Sequence, residues 1–430
     1  MKNGRLVVLV AGILLVGGVA LWLVARGERG TPEEVPPDLI PAGRWHRISE
    51  LQRRDEQQRA QLLSLGYLSG RYVAPDGSGI VTWVPDRVWP GVNLYTSGDA
   101  PTVRLMSLEG EELHTWTCPY RRALPDGFET GETDYVRRAR LLENGDLLVL
   151  YQGGGVARLD RDSNVLWATA EPAFNDLHVG SDGRLRLISK RPVPIREVAG
   201  FERAPAREVL EDSVAVLSLE DGAVLERVSI LRALAGSPFR GVLDPLPAGP
   251  DILHANTVRL LSERVHEPFA AGQVLVSLRQ IDTLAAIDVE SRAAVWAQRG
   301  PWRRQHEPTL LPGRRLLLFD NRGGAHGSSR ALELDFDTGE TVWEYQDVDS
   351  PEAGTCRRLP NGNTLITESE RGRALEVTAD GEVVWEWVSP HRAGPDGELI
   401  ATLFELERYT VSDDWLELLV SGAAERPRPR

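Results

Sequence analysis

One phrase recurs along this chain and constrains its fold more than any other feature. It reads GETVWEY at 339–345, GEVVWEW at 381–387, NVLWAT at 164–169 and AAVWAQ at 293–298. Each copy follows a strand-like segment ending in an acidic turn: LELDFDTG, LEVTADG, VARLDRDS or AAIDVES. Ahead of that lies a second strand of the form RRLLLF, GNTLIT, GDLLVL or GQVLVS. The unit therefore reads as strand, turn, strand, turn, strand, turn and a final strand bearing Trp, which is the plan of a propeller blade. Trp167, Trp296, Trp343 and Trp385 share one phase of it, and the same phase falls on Glu226 in VLSLEDGAVLERVSI and on His114 in SLEGEELHTW. Six units between about residues 91 and 387 predict an all-β, six-bladed β-propeller. Large rings at one strand phase are expected to pack between neighbouring blades.

Composition agrees with many short strands, since 41 Gly and 28 Pro punctuate the chain. The net charge of −14 excludes the basic footprint of a general nucleic-acid binder. Residues 6–25 carry no charge, and a helix of that length spans a bilayer core. Lys2 and Arg5 precede this run, whereas Glu28, Glu33 and Glu34 follow among Arg26 and Arg29. The positive-inside rule then predicts a single membrane anchor at 1–30 with the main domain on the extracytoplasmic side. A Pro-rich acidic spacer and a helix capped by Ser49 and Gln52 form a predicted linker and stalk over 31–90. The propeller is expected at 91–389, and an extension with a disordered tail at 390–430. Cys118 and Cys356 fall in the first and last units, neighbours once the ring closes. A disulfide and two separate buried thiols are both open at this level.

A propeller brings the starts of its inner strands together around a channel. His178 (NDLHVGSDG), His254 (DILHANTV) and His306 (RQHEPTLLPG) open three consecutive units, whereas His46, His114, His266, His326 and His391 fall in loops, linkers or outer strands. One histidine so placed is usually structural; three at one topological position point to a site. Arg279 ends the second strand of the fourth unit, where its fork of donors suits an oxyanion. Asn321 plays a similar part in the fifth unit, and Asp320 beside it closes a turn. Zinc is the minor reading of three imidazoles, because no HExxH-like spacing accompanies them and an arginine would repel the ion.

LHANTV, VLVSLRQ, QHEPTLL, LLLFDN and RLPNGNTLI followed by EVTADGEVVWEW together resemble the bacterial arylsulfate sulfotransferases, six-bladed propeller enzymes acting outside the cytoplasm. The resemblance runs from about residue 176 to 387, and no N-terminal β-domain of the well-known enzymes is evident. It implies that His306 is the nucleophile that becomes sulfated, that His254 and Arg279 bind the sulfuryl oxygens, and that His178 completes the pocket as an acid/base or second stabilising group. Asn256, Asn321 and Arg322 are the accompanying substrate-binding candidates. An aryl sulfate is the implied donor and a phenol the acceptor, with no metal, cofactor or nucleotide sulfate. Arg322 stands where the family commonly has Gly, so Arg322 and His326 are expected at the channel mouth. Two other readings compete: a noncatalytic propeller scaffold holding partners at a membrane, and a quinoprotein-like dehydrogenase suggested by DFDTGETVWEY.

Overall fold

A computed structural model describes residues 44–47, 77–127, 131–261, 267–393 and 399–421. The expected anchor, the stalk helix, His266 and the C-terminal tail lie outside the described residues. Among the described residues no helix is long and apolar enough to cross a membrane.

Six antiparallel sheets form the ring. From the channel outward, blade 1 is Leu403–Tyr409, Val92–Ser97, Thr102–Met106 and Glu112–Thr117. Blade 2 is Arg138–Leu141, Leu147–Tyr151, Gly155–Leu159 and Val165–Thr169. Blade 3 is Ala173–Val179, Arg184–Pro194, Glu208–Ser218 and Val224–Ser229. Blade 4 is Ala255–Leu260, Gln273–Leu278, Thr283–Asp288 and Ala293–Arg299, and blade 5 is His306–Leu311, Arg315–Asp320, Arg330–Asp335 and Thr341–Tyr345. Blade 6 is Thr355–Arg358, Thr364–Glu368, Arg373–Val377 and Val383–Val388, with Gly79–Trp83 as a fifth, outermost strand. The six-bladed propeller expected from the repeat is therefore the fold.

Both ends of the ring reach past the boundaries at 91 and 389. Leu403–Tyr409 pairs with Val92–Ser97 as the innermost strand of blade 1, and Gly79–Trp83 pairs with Val383–Val388. The strand order of blade 1 thus joins a late segment to early ones, and its ladder holds the circle shut. The span from 390 onward is consequently more than an extension. Cys356 lies on the inner strand of blade 6 and Cys118 just beyond the outer strand of blade 1, and both are buried free thiols. Blades 1 and 6 are neighbours, but the two thiols lie toward opposite radial ends of them.

The repeat phase has a structural cause. In every blade the outer strand bulges one residue before the phase position: at Leu113, Leu166, Leu225, Val295, Val342 and Val384. A bulge bends the strand, and here it is followed by the side chain that bonds or packs onto the next blade. Trp167 donates its indole N–H to the Leu219 carbonyl (3.2 Å) and Trp385 to the Leu108 carbonyl (2.9 Å). Trp296 packs on Phe336, and Trp343 lies under Arg358. The two units without Trp keep the same bridge by polar means. His114 Nε2 bonds the Arg161 carbonyl at 2.8 Å, and Glu226 pairs with Arg292 at 2.8 Å.

Candidate active site

The inner strands carry a ring of charge that alternates in sign from blade to blade: Glu405, Arg138, Asp176, Arg259, Glu307 and Arg357. Arg138 pairs with Glu405 at 2.9 Å and Glu307 at 3.0 Å. Arg259 bonds Asp176 at 3.0 Å and also Glu307, while Arg357 holds Glu405 at 3.0 Å. Arg140 adds bonds to Glu405 at 2.5 Å and Asp176 at 3.2 Å. Blade 2 lies opposite blade 5 in a six-membered ring, so the Arg138 to Glu307 contact spans the channel. Every ion in this belt has an opposite partner, which is what makes such charge tolerable away from water. Burial alone would raise the carboxyl of Glu307, but the charges of Arg259 and Arg138 hold it well below the usual range.

On one side of the belt lies the group of residues that the sequence points to. His306 immediately precedes Glu307 and is buried. Its Nδ1 lies 2.7 Å from Asn321 Oδ1, and Asn321 Nδ2 donates to the Ser350 and Ala353 carbonyls at 2.5 Å each. Two carbonyls accept only from the nitrogen end of the amide, so Oδ1 must face the imidazole as an acceptor. His306 Nδ1 therefore carries the proton, and Nε2 is left with its lone pair. Burial, then the charge of Arg279, push the His306 pKa down to about 3, which keeps the ring neutral at pH 7.

His254 lies just ahead of the inner strand of blade 4, and its carbonyl accepts from the Arg279 N–H at 3.2 Å. A left-handed backbone (φ 52°) sets the direction of its side chain. Its Nδ1 meets Asp251 Oδ2 at 2.5 Å, and Asp251 in turn accepts from Lys190 Nζ at 3.0 and 3.1 Å. Burial would raise Asp251, but the His254 bond and the Lys190 charge bring its pKa down to about 2. A carboxylate that holds Nδ1–H leaves His254 Nε2 free to accept a proton. Burial lowers the pKa of His254 too, against the pull of Asp251.

Arg279 is buried and donates to Glu352, whose other oxygen accepts from Arg322 at 2.6 Å. A half-exposed carboxylate (47%) thus occupies the fork of Arg279 and ties Arg322 to it. Asn256 is spent on structure: its amide nitrogen donates to the Gln305 carbonyl at 2.8 Å and fixes the backbone ahead of His306. Asp320 accepts from the backbone N–H groups of Arg303 and Gly323, both at 2.8 Å, and closes the turn as expected. His326 is exposed and takes no part.

His178 does not join this group. It follows the belt residue Asp176 by two positions, because its strand already begins at Ala173, whereas His306 opens its strand and comes before the belt. Burial and the charges of Arg259, Arg140 and Arg357 lower its pKa to about 3, and those cations belong to the belt. Sequence reading also missed Asp251, Lys190, Glu352 and Arg137. Asp251 stood in the quoted DILH, and the RRAR run over 137–140 opens blade 2 as His254 and His306 open theirs. Glu352 sits in a turn between blades with no pattern to mark it. Among the described residues, no group of three His, Cys, Asp or Glu is placed to hold a metal.

Fold and site together define a six-bladed propeller whose channel is crossed by an ion belt and carries, on one side, a cluster of basic groups around a neutral histidine. The chain belongs to the arylsulfotransferase (ASST) family, whose model matches residues 138–391. A search of curated proteins gives no match. Similar solved structures include a protein of unknown function from Bacteroides caccae, 12% identical with a TM-score of 0.47 over 74% of this chain and 98% of that one. BamB from Moraxella catarrhalis is 12% identical with a TM-score of 0.36, over 75% of this chain and 95% of that one. The WD40 β-propeller domain of Doa1 is 11% identical with a TM-score of 0.41, over 80% and 96%.

Proposed function

We propose that the protein moves a sulfuryl group from an aryl sulfate ester to a phenol through a sulfohistidine at His306. The observation that carries this reading is the pinned, neutral imidazole whose Nε2 lone pair is free beside Arg279. In the first step Nε2 attacks sulfur, the sulfur to aryl-oxygen bond breaks, and its electron pair leaves on the phenolate. Sulfated His306 keeps its Nδ1 proton on Asn321, so the ring is cationic and a good leaving group. In the second step the acceptor phenol gives its proton to His254 Nε2 and its oxygen attacks sulfur. The nitrogen to sulfur bond then breaks, and its pair returns to His306 Nε2. Asp251 stabilises the imidazolium formed on His254, which supports the role of base for this residue in place of the sulfuryl-binding role that the family resemblance implied. His254 passes its proton to the phenolate released in the first step or to water. Arg279 leaves Glu352 to receive the sulfuryl oxygens, with Arg322 beside it at the mouth. The reading includes an extracytoplasmic domain held to the membrane by residues 6–25, supported by their charge-free run.

The test is steady-state turnover of 4-nitrophenyl sulfate with phenol by the full-length chain. The expected result is nitrophenolate release that depends on phenol, parallel double-reciprocal lines, and loss of activity in His306→Ala. A wild type that releases no nitrophenolate with any phenol, or a fully active His306→Ala, contradicts the reading.

A further inference from the structure

Six arginines are buried among the described residues: Arg137, Arg138, Arg140, Arg186, Arg279 and Arg408. Five hold a carboxylate: Arg138 and Arg140 in the belt, Arg186 with Asp182, Arg279 with Glu352 and Arg408 with Glu376. Arg137 holds none. Its side chain is 6% exposed, its Nη1 has no hydrogen-bond partner, and its guanidinium lies over the Phe404 ring at 4.6 Å. A ring face returns only part of what burying a guanidinium costs. Burial and the neighbouring Arg138 charge lower its pKa to about 10, so it still keeps its proton at neutral pH.

Position gives this unmatched charge a purpose. Arg137 immediately precedes the inner strand of blade 2, its N–H bonded to the Leu150 carbonyl at 2.8 Å, as His306 opens the inner strand of blade 5. Both therefore stand at the same end of the channel on opposite blades, and the Arg137 charge acts on His306. Sulfuryl transfer is in-line, with the attacking nitrogen, sulfur and departing oxygen roughly collinear, as in phosphoryl transfer. A group facing His306 from across the channel meets the aryl oxygen. One on the adjoining blade, such as Arg279, meets the equatorial sulfuryl oxygens.

We infer that Arg137 binds the bridging aryl oxygen, stabilising the phenolate as it leaves and, in the reverse sense, the phenol oxygen as it attacks. The inference rests on the transfer reaction proposed above and adds to it a determinant of which phenols the enzyme handles. Charge that develops on the leaving oxygen is greatest for a poorly acidic phenol, so the need for Arg137 grows as the phenol becomes more basic.

The experiment compares wild type, Arg137→Met and Arg137→Lys in single-turnover reactions with 4-nitrophenyl sulfate and with phenyl sulfate. Arg137→Met is expected to lose on the order of 10²–10³ in rate with phenyl sulfate and at least about tenfold less than that with 4-nitrophenyl sulfate. Arg137→Lys, which keeps a charge, is expected to restore part of the phenyl sulfate rate. Thermal unfolding supplies a readout that a packing role would move the other way. Arg137→Met removes an uncompensated buried charge and should unfold at the same or a higher temperature. Equal losses with both esters, no loss, or a lower unfolding temperature restored by Lys without the rate would overturn the assignment of Arg137 alone. A wild type inert toward both esters would overturn the transfer reaction with it.

Discussion

Replacing Asn321 with leucine tests the orientation of His306 more sharply than deleting the histidine. Asn321 Oδ1 is the acceptor for Nδ1–H at 2.7 Å, and the amide cannot flip because its nitrogen is held by the Ser350 and Ala353 carbonyls. Leucine keeps the bulk and removes the acceptor. A buried donor left without a partner costs about 1–3 kcal/mol, and the ring escapes that cost by moving its proton to Nε2. The lone pair that must attack sulfur is then lost. At 1.36 kcal/mol per tenfold, the competent tautomer falls roughly fivefold to 150-fold, and the sulfation rate falls with it. Two carbonyls also lose their donor, so a lower unfolding temperature accompanies the change. Rapid-mixing measurement of the nitrophenolate burst separates the two effects, since chemistry sets its rate and folded enzyme its amplitude. A slower burst of unchanged amplitude is expected. A burst rate within about twofold of wild type would refute the tautomer reasoning.

Other predictions follow from the same geometry. With a His306 pKa of about 3, the burst rate should show no acid limb between about pH 5 and 8; a limb near the ordinary histidine value would contradict it. The same depressed pKa makes the unfolded chain bind the extra proton as pH falls from about 6.5 toward 3. Each such histidine therefore withdraws about 1.4 kcal/mol of stability per pH unit over that window. Urea unfolding of His306→Asn should be less acid-sensitive than wild type by that amount. Glu352→Gln releases Arg279 and should lower KM for the aryl sulfate by up to about fivefold, the range of a half-exposed ion pair worth about 1 kcal/mol. Arg138→Met strips the belt of its central cation and should destabilise the fold by about 3–5 kcal/mol, read by denaturant titration. His178→Ala should leave the burst rate unchanged, because His178 lies beyond the belt.

Sequence legibility followed locality. The phase shared by Trp167, Trp296, Trp343 and Trp385, and by Glu226 and His114, is visible because each blade rebuilds the same bulge and bridge from consecutive residues. Leu403–Tyr409 was opaque for the opposite reason: it supplies one strand to a blade whose other strands lie some three hundred residues earlier, and so carries no unit of its own. His254, His306, Arg279 and Asn321 were legible as residues at strand ends that face one channel. His178 misled because its strand begins at Ala173, five residues earlier, which places it past the belt rather than at the opening of its blade. The belt cannot be read from sequence at all, since Arg138 finds Glu307 and Glu405 only after the ring closes.

The central claim is that His306 carries the group in transit. Intact-mass analysis of the full-length protein after incubation with 4-nitrophenyl sulfate, with no acceptor present, tests it most directly. The account predicts a mass gain of one sulfuryl group per chain that maps to His306, is absent from His306→Asn, and disappears on adding phenol. An active enzyme that shows no such gain, or a gain on another residue, would contradict it.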